Sequence, residues 1–221
     1  KVFHGVTDVP SVDIALRGVD TLPSLSYSEQ SDYVGLPESN SFIADVYPTS
    51  DINDLVISSG PIRTTADTSS LVLASGFLDS AANQDGPGFA LLQVDEDGIV
   101  DTLDNFTEAA LQFIHNSPDP EAATVDLYFN DSLVGNDVDF RDVTALSSFP
   151  ATGNRRLKVA ASNSTGPDDA IVDNFDVTNI LPGGARAVVI QGLVDPAAVG
   201  SFPNDGISRE LSADVYINSL S

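Results

Sequence analysis

Apolar and polar residues alternate in two well-separated stretches of the chain. Val12, Ile14 and Leu16 interleave with Asp13, Ala15 and Arg17, and Val125, Leu127 and Phe129 interleave with Asp126 and Tyr128. A period of two residues predicts a strand with one buried face. Segments 71–78 and 187–194 are nearly continuous apolar runs, each with a Gly inside. They are too short for buried helices and predict central strands, the Gly marking a bulge or a close backbone approach. Shorter strand candidates lie at 42–47, 55–57, 89–94, 157–161, 170–172 and 215–217. Clusters of Pro, Gly, Asn and Asp separate them, and only a turn near 142–147, or its counterpart around 28–33, reads as helical.

The pattern occurs twice. Val2-Phe3-His4 and Phe113-Ile114-His115 each lead to an Asp four residues after the His, at Asp8 and Asp119. The offset that pairs Asp13 with Asp126 also pairs Tyr27 with Phe140 and Leu36-Pro37 with Phe149-Pro150. Leu71 to Asp79 then matches Ala187 to Asp195, and Asp85-Gly86 matches Asp205-Gly206. The chain therefore reads as two copies of one unit, residues 1–105 and 106–221, meeting near 104–108. About seven short strands per unit, with no sustained helical stripe, predict an all-β chain of two tandem immunoglobulin-like antiparallel β-sandwich domains.

Composition restricts the partners. The 221 residues carry 33 acids against 9 bases, a net charge of -24, with no Cys, Met or Trp. Such a surface repels nucleic-acid phosphate and anionic lipid. Without Cys there is no disulfide framework, thiolate metal site or thiol nucleophile. No apolar run reaches the roughly 18 residues of a spanning helix, so no direct membrane insertion is expected. Of the acids, 27 are Asp, a turn-favouring residue, which places the charge in the loops. A chain that starts at Lys1 and contains no Met has the form expected of a mature product after signal-peptide removal.

The segment His115-Asn116-Ser117-Pro118-Asp119, followed by Val125-Asp126-Leu127-Tyr128, resembles the opening of the domain of unknown function 4397 family. Copy one, His4-Gly5-Val6-Thr7-Asp8, lacks the Ser-Pro pair and joins through the duplication. The resemblance implies tandem β-sandwich units in secreted or surface proteins of bacteria and archaea. It implies no reaction and transfers no catalytic residue.

Three groups of residues are chemical candidates. His115, Ser117 and Asp119 could suggest a hydrolytic triad, but copy one has Val6 where Ser117 stands, and one strand cannot easily align nucleophile, base and orienter. A structural role is expected instead: the imidazoles tie down a loop, and Asp8 and Asp119 close turns. Asp95 and Asp97, and Asp137, Asp139 and Asp142, are closely spaced carboxylates of the kind that hold structural calcium, although 95–98 is equally well a hairpin turn. Asn105, Asn130 and Asn163 head Asn-x-Ser/Thr sequons at expected loops or the linker and are candidate glycosylation sites. Tyr128 is the best aromatic platform for glycans, on the strand face opposite Leu127 and Phe129.

No catalytic or cofactor-binding residue is assigned, and no cofactor is required. The expected role is a non-catalytic extracellular structural or interaction protein, not an enzyme. It would be a building block of a cell-surface layer, matrix or filament, assembled through sandwich faces and edge strands. Its partners would be further copies or another surface protein, with terminal strands available for exchange. The alternative is a calcium-dependent adhesin or glycan-binding module acting as a monomer.

Overall fold

The alternation around Ile14 and Leu127 becomes strand, as expected. A computed structural model of the chain describes residues 1–217 except Ser39, Ile52, Asn154, Asn179 and Asn204. The chain divides into two compact units, Lys1–Phe106 and Thr107–Ser221. The first contains β1 (Val2–His4), β2 (Ser11–Leu16), β3 (Asp20–Ser26), β4 (Ser41–Pro48), β5 (Ile57–Arg63), β6 (Leu71–Ser75), β7 (Ala90–Val94), β8 (Val100–Thr102) and β9 (Asp104–Phe106). The second contains β10 (Glu108–Asn116), β11 (Thr124–Phe129), β12 (Ser132–Asp139), β13 (Ser147–Pro150), β14 (Arg156–Ala161), β15 (Ala170–Asp176), β16 (Ala185–Gln191) and β17 (Ser212–Ile217).

Each unit has two sheets. In the first, the order β1-β6-β7-β8 is paired with β3-β2-β4-β5-β9; in the second, β13-β10-β16-β17 is paired with β12-β11-β14-β15. Both sheets of a unit contribute to one core. Val2, Val72, Ala74 and Leu91 from one sheet cluster with Val12, Ile14, Phe42, Val46 and Ile62 from the other. In the second unit Leu111, Phe113, Val188 and Ile190 cluster with Val125, Leu127, Phe129, Leu157 and Val159. Phe113, Phe129 and Phe149 form an aromatic trio with centroids 5.1 to 6.1 Å apart. These tilted and edge-to-face arrangements add to the burial of the rings.

The all-β, mainly antiparallel expectation holds, with two pairings that run the other way. β1 pairs with β6, and β10 with β16, in parallel. Alternation shows which residues face the core, but it carries no information on the direction of the neighbouring strand. The helical turns expected at 28–33 and 142–147 are also absent. Those segments hydrogen-bond across to β1 and β10 instead, through Ser28 N–H to His4 O, His4 N–H to Glu29 O, His115 N–H to Asp142 O and Thr144 N–H to Phe113 O. The helical turns among the described residues are short and lie elsewhere, at Ala81–Asn83, Pro120–Ala122, Pro167–Asp169 and Pro196–Val199. β1 is therefore bonded on both sides within its own unit, and β17 is held by β16 on one side.

The two glycines in the apolar runs sit where the backbone approaches closely. Gly76 and Gly192 have φ of +90° and +94° and follow β6 and β16 directly. A Cβ there would lie 2.2 Å from Gly88 O and 2.3 Å from Glu210 O. The next residue in each case, Phe77 or Leu193, donates its N–H to Pro87 O or Arg209 O. The chain can cross itself at these points only because both residues lack a side chain.

Candidate functional site

The polar residues common to both copies come first, since a duplicated active site would use them. His4 is fully buried; its Nε2 lies 2.9 Å from Val9 O, and Val6 N–H points at its Nδ1. His115 repeats this with Ala122 O at 2.6 Å and Ser117 N–H at Nδ1. A carbonyl at Nε2 and an N–H at Nδ1 give both rings the same tautomer, with the proton on Nε2. Burial holds the His4 pKa below its ordinary value, with the Val9 carbonyl pulling the other way. Tyr27 and Phe140 meet their histidines edge-on, each with centroids 6.3 Å apart.

The aspartates act in the same way. Asp8 accepts from Leu78 N–H and Asp79 N–H at 3.0 and 2.9 Å, and Asp119 accepts from Glu121 N–H and Val194 N–H at 2.9 and 2.8 Å. The Asp79 N–H is the main reason that the Asp8 carboxyl stays below the usual carboxylate range. Ser117 Oγ donates to Gly192 O at 2.7 Å, so its proton is committed to the backbone and is not directed at His115. The three triad candidates thus serve as loop ties.

Asp13 and Asp126 have a role that spacing alone does not reveal. Each faces a bulge in the adjacent strand, where Ser24 (φ 50°) and Asp137 (φ 52°) adopt the left-handed conformation. Ser24 N–H donates to Asp13 Oδ1 at 2.7 Å, and Asp137 N–H to Asp126 Oδ1 at 2.9 Å. A side-chain acceptor satisfies the amide that a bulge removes from the ladder. His4, Asp8 and Asp13 and their counterparts His115, Asp119 and Asp126 are therefore engaged in holding the fold.

The other candidates do not converge. Asp95 Oδ1 accepts the N–H groups of Asp97 and Ile99, closing the β7–β8 hairpin. Asp137 belongs to the β12 bulge, Asp139 accepts from Thr124 Oγ1, and Asp142 offers its carbonyl to His115 N–H. Among the described residues no three or more His, Cys, Asp or Glu side chains gather as metal ligands. Asn163 is exposed in a turn. Asn130, at the β11–β12 turn, accepts from Arg156 N–H. Asn105 lies in β9 and accepts from Ser59 Oγ, a correction to its expected place in a linker. Tyr128 is corrected too. It is only 6% exposed, because the turn carrying Ser164 folds over it and hydrogen-bonds its hydroxyl at 2.8 Å. Alternation places the residue on the right strand face but says nothing of the loop that covers it.

What remains is confined to single copies. Arg17 forms a fork with Asp45 (Nε–Oδ2 2.7 Å, Nη2–Oδ1 2.6 Å), and Ser58 Oγ donates to the same carboxylate at 2.5 Å. Asp45 is 2% exposed, and burial together with this carboxylate raises the pKa of Tyr47 beside it. An open cleft of about 580 Å³ in the second unit is bordered by Phe140, Leu193, Phe202 and Ile207. In the first unit, Tyr33 and Lys1 line two adjoining hollows, and Arg63 lines one of them. No sequence signal points to this last group, because its residues come from separate segments and 28–33 has the pattern of a helical turn. No protein-family model matches the chain and no curated protein matches it, so the family resemblance rests on the residues 115–119 and 125–128 alone.

Proposed function

We propose that the chain is a non-catalytic, extracellular building block that assembles with further copies of itself through the edges of its sheets. The observation that carries this reading is the character of those edges. The marginal strands β8, β12, β15 and β17 each bear a large exposed apolar side chain: Val100, Leu133, Ile171 and Tyr216. Natural sheets usually guard an edge with charge (Lys above all), with Pro or with a bulge, and the pairings of β12 and β15 are bulged or irregular. Neither of the two lysines lies on these strands, which instead carry Asp101, Asp137, Asp139, Asp173, Asp176 and Asp214. Carboxylates oppose pairing with a like-charged copy at low ionic strength and are screened at high ionic strength. An apolar edge behind a screened charge supports conditional strand addition.

The duplication supports the same reading, because His4, Asp8, Asp13 and their counterparts in copy two are engaged by the fold. A surface location fits the acidic, cysteine-free composition and the family resemblance; among the described residues no helix is long and apolar enough to cross a membrane. The test is electron microscopy and mass measurement of Tyr216→Lys and Val100→Lys beside the natural chain in high salt. Loss of oligomers in either edge variant, with unchanged melting, supports edge pairing. Oligomers that survive both substitutions contradict it.

A further inference from the structure

The cations are distributed unevenly. Arg17, Arg156, Lys158 and Arg209 are paired with Asp45, Asp176, Asp131 and Asp205. Arg155 and Arg186 donate to backbone carbonyls. Among the described residues the Lys1, Arg63 and Arg141 side chains have no carboxylate partner, although the chain holds 33 acids. Arg141 lies over the ring of Phe140. The other two line one cleft.

That cleft is built on fixed backbone. Ser31 ties the segment before Tyr33 to β1, through Ser31 N–H to Val2 O and Val2 N–H to Ser31 Oγ. Gln93 clamps the end of β5, accepting from Arg63 N–H at 3.0 Å and donating to Arg63 O at 2.6 Å. Arg63, without an ion pair among the described residues, lines the cleft together with Thr64, Thr65, Thr68, Ser69, Ser70 and Asp95. Tyr33, 68% exposed, lines the same cleft, with Lys1 Nζ 4.5 Å from the ring centroid. The adjoining hollows measure about 180 and 310 Å³. The arrangement is confined to copy one: the offset that pairs Tyr27 with Phe140 puts Leu146 opposite Tyr33.

We propose that this cleft binds a carboxylated sugar, a hexuronate unit of an acidic polysaccharide. An exposed aromatic ring offers a flat face to the C–H side of a pyranose. The free guanidinium matches a carboxylate with two parallel hydrogen bonds. Thr64 Oγ1 donates to Pro37 O, Thr68 Oγ1 to Thr65 O and Ser69 Oγ to Glu96, so these hydroxyls offer lone pairs to the ring hydroxyls of a sugar. Asp95 and Glu96 also line the hollows, but Asp95 Oδ1 accepts from Asp97 N–H and Ile99 N–H, and Glu96 Oε1 accepts from Ser69, while the Arg63 guanidinium has no ion pair among the described residues.

The test is calorimetric titration of the full chain with trigalacturonate, maltotriose and hexa-aspartate. It is run at constant ionic strength with a chelator present, so that no divalent ion bridges acid to acid. Trigalacturonate should bind saturably and the other two at least about tenfold more weakly, the difference expected for a charge-assisted bidentate contact. Arg63→Gln and Tyr33→Ala should each weaken binding about five- to tenfold, while Tyr33→Phe stays within about twofold. Amide shifts of the natural chain give a reading independent of any variant's folding and should concentrate at Tyr33, Arg63, Thr65 and Ser69. Equal binding of maltotriose or hexa-aspartate, indifference to both truncating variants, or shifts spread over the Asp-rich loops would each overturn the proposal.

Discussion

Replacing Gly76 by Ala measures how far the fold depends on the crossing at the end of β6. At Gly98, φ is +78° and an added Cβ meets nothing within 4 Å, so Gly98→Ala isolates the cost of a left-handed alanine, about 1–2 kcal/mol. At Gly76, φ is +90°, and the added Cβ would lie 2.2 Å from Gly88 O, 2.8 Å from Gly88 C and 2.9 Å from Pro87 O. Opening that gap to a tolerable 3.0 Å moves backbone by at least about 0.8 Å. The Phe77 N–H bond to Pro87 O, 2.9 Å long, lies directly in the path of that movement. Overpacking of this kind costs about 1–3 kcal/mol, and a lost hydrogen bond about 1 kcal/mol more. Gly76→Ala should therefore destabilise its unit by about 3–6 kcal/mol, against about 1–2 for Gly98→Ala. Urea unfolding followed by tyrosine fluorescence and circular dichroism reads both, with the transition assigned to the unit carrying the substitution. If Gly76→Ala falls within about 1 kcal/mol of Gly98→Ala, the close approach is not a constraint and the reasoning fails.

Further outcomes follow from the buried polar groups. His115→Ala removes the bond to Ala122 O and leaves a void at a fully buried site, and should cost about 2–4 kcal/mol in chemical denaturation. Arg17→Met strands the Asp45 carboxylate and should cost about 3 kcal/mol, whereas Arg17→Met with Asp45→Leu should recover much of it; equal losses would show that no buried pair is at stake. Because burial lowers the His4 pKa, the unfolded chain takes up the proton first as pH falls below about 6.5. Stability should decline there with a slope of at most about 1.4 kcal/mol per pH unit, and His4→Gln should flatten that slope. Asp8, Asp169 and Asp205 have lowered pKa values, so their contribution persists above the ordinary value of 3.8 and is lost as pH falls below it.

Some of this structure is legible in the sequence and some is not, for identifiable reasons. His4, Asp8 and their counterparts in copy two act on residues nearby in sequence or on the matching apolar run, so the duplication exposes their roles. Asp13 and Asp126 align equally well, yet their partners are bulge residues in a conformation that no spacing signals. β3 and β12, Asp-Thr-Leu-Pro-Ser-Leu-Ser and Ser-Leu-Val-Gly-Asn-Asp-Val-Asp, escape notice because polar marginal strands do not alternate cleanly. The parallel pairings of β1 and β10 escape for the same lack of a sequence signal. Asp45 is invisible because a strand position on an outer face normally contacts water, and only Arg17 and Ser58 show why it does not. The Tyr33 cleft draws on segments from positions 1 to 96, and only the fold brings them together.

The proposed assembly pairs copies of this chain through sheet edges guarded by carboxylates. Light scattering coupled to size exclusion, run from low salt to molar sodium chloride, addresses it most directly. Edge pairing predicts a particle of 23.1 kDa at low ionic strength that gives way to multiples of that mass as screening increases. A mass of one chain at every salt concentration would contradict it.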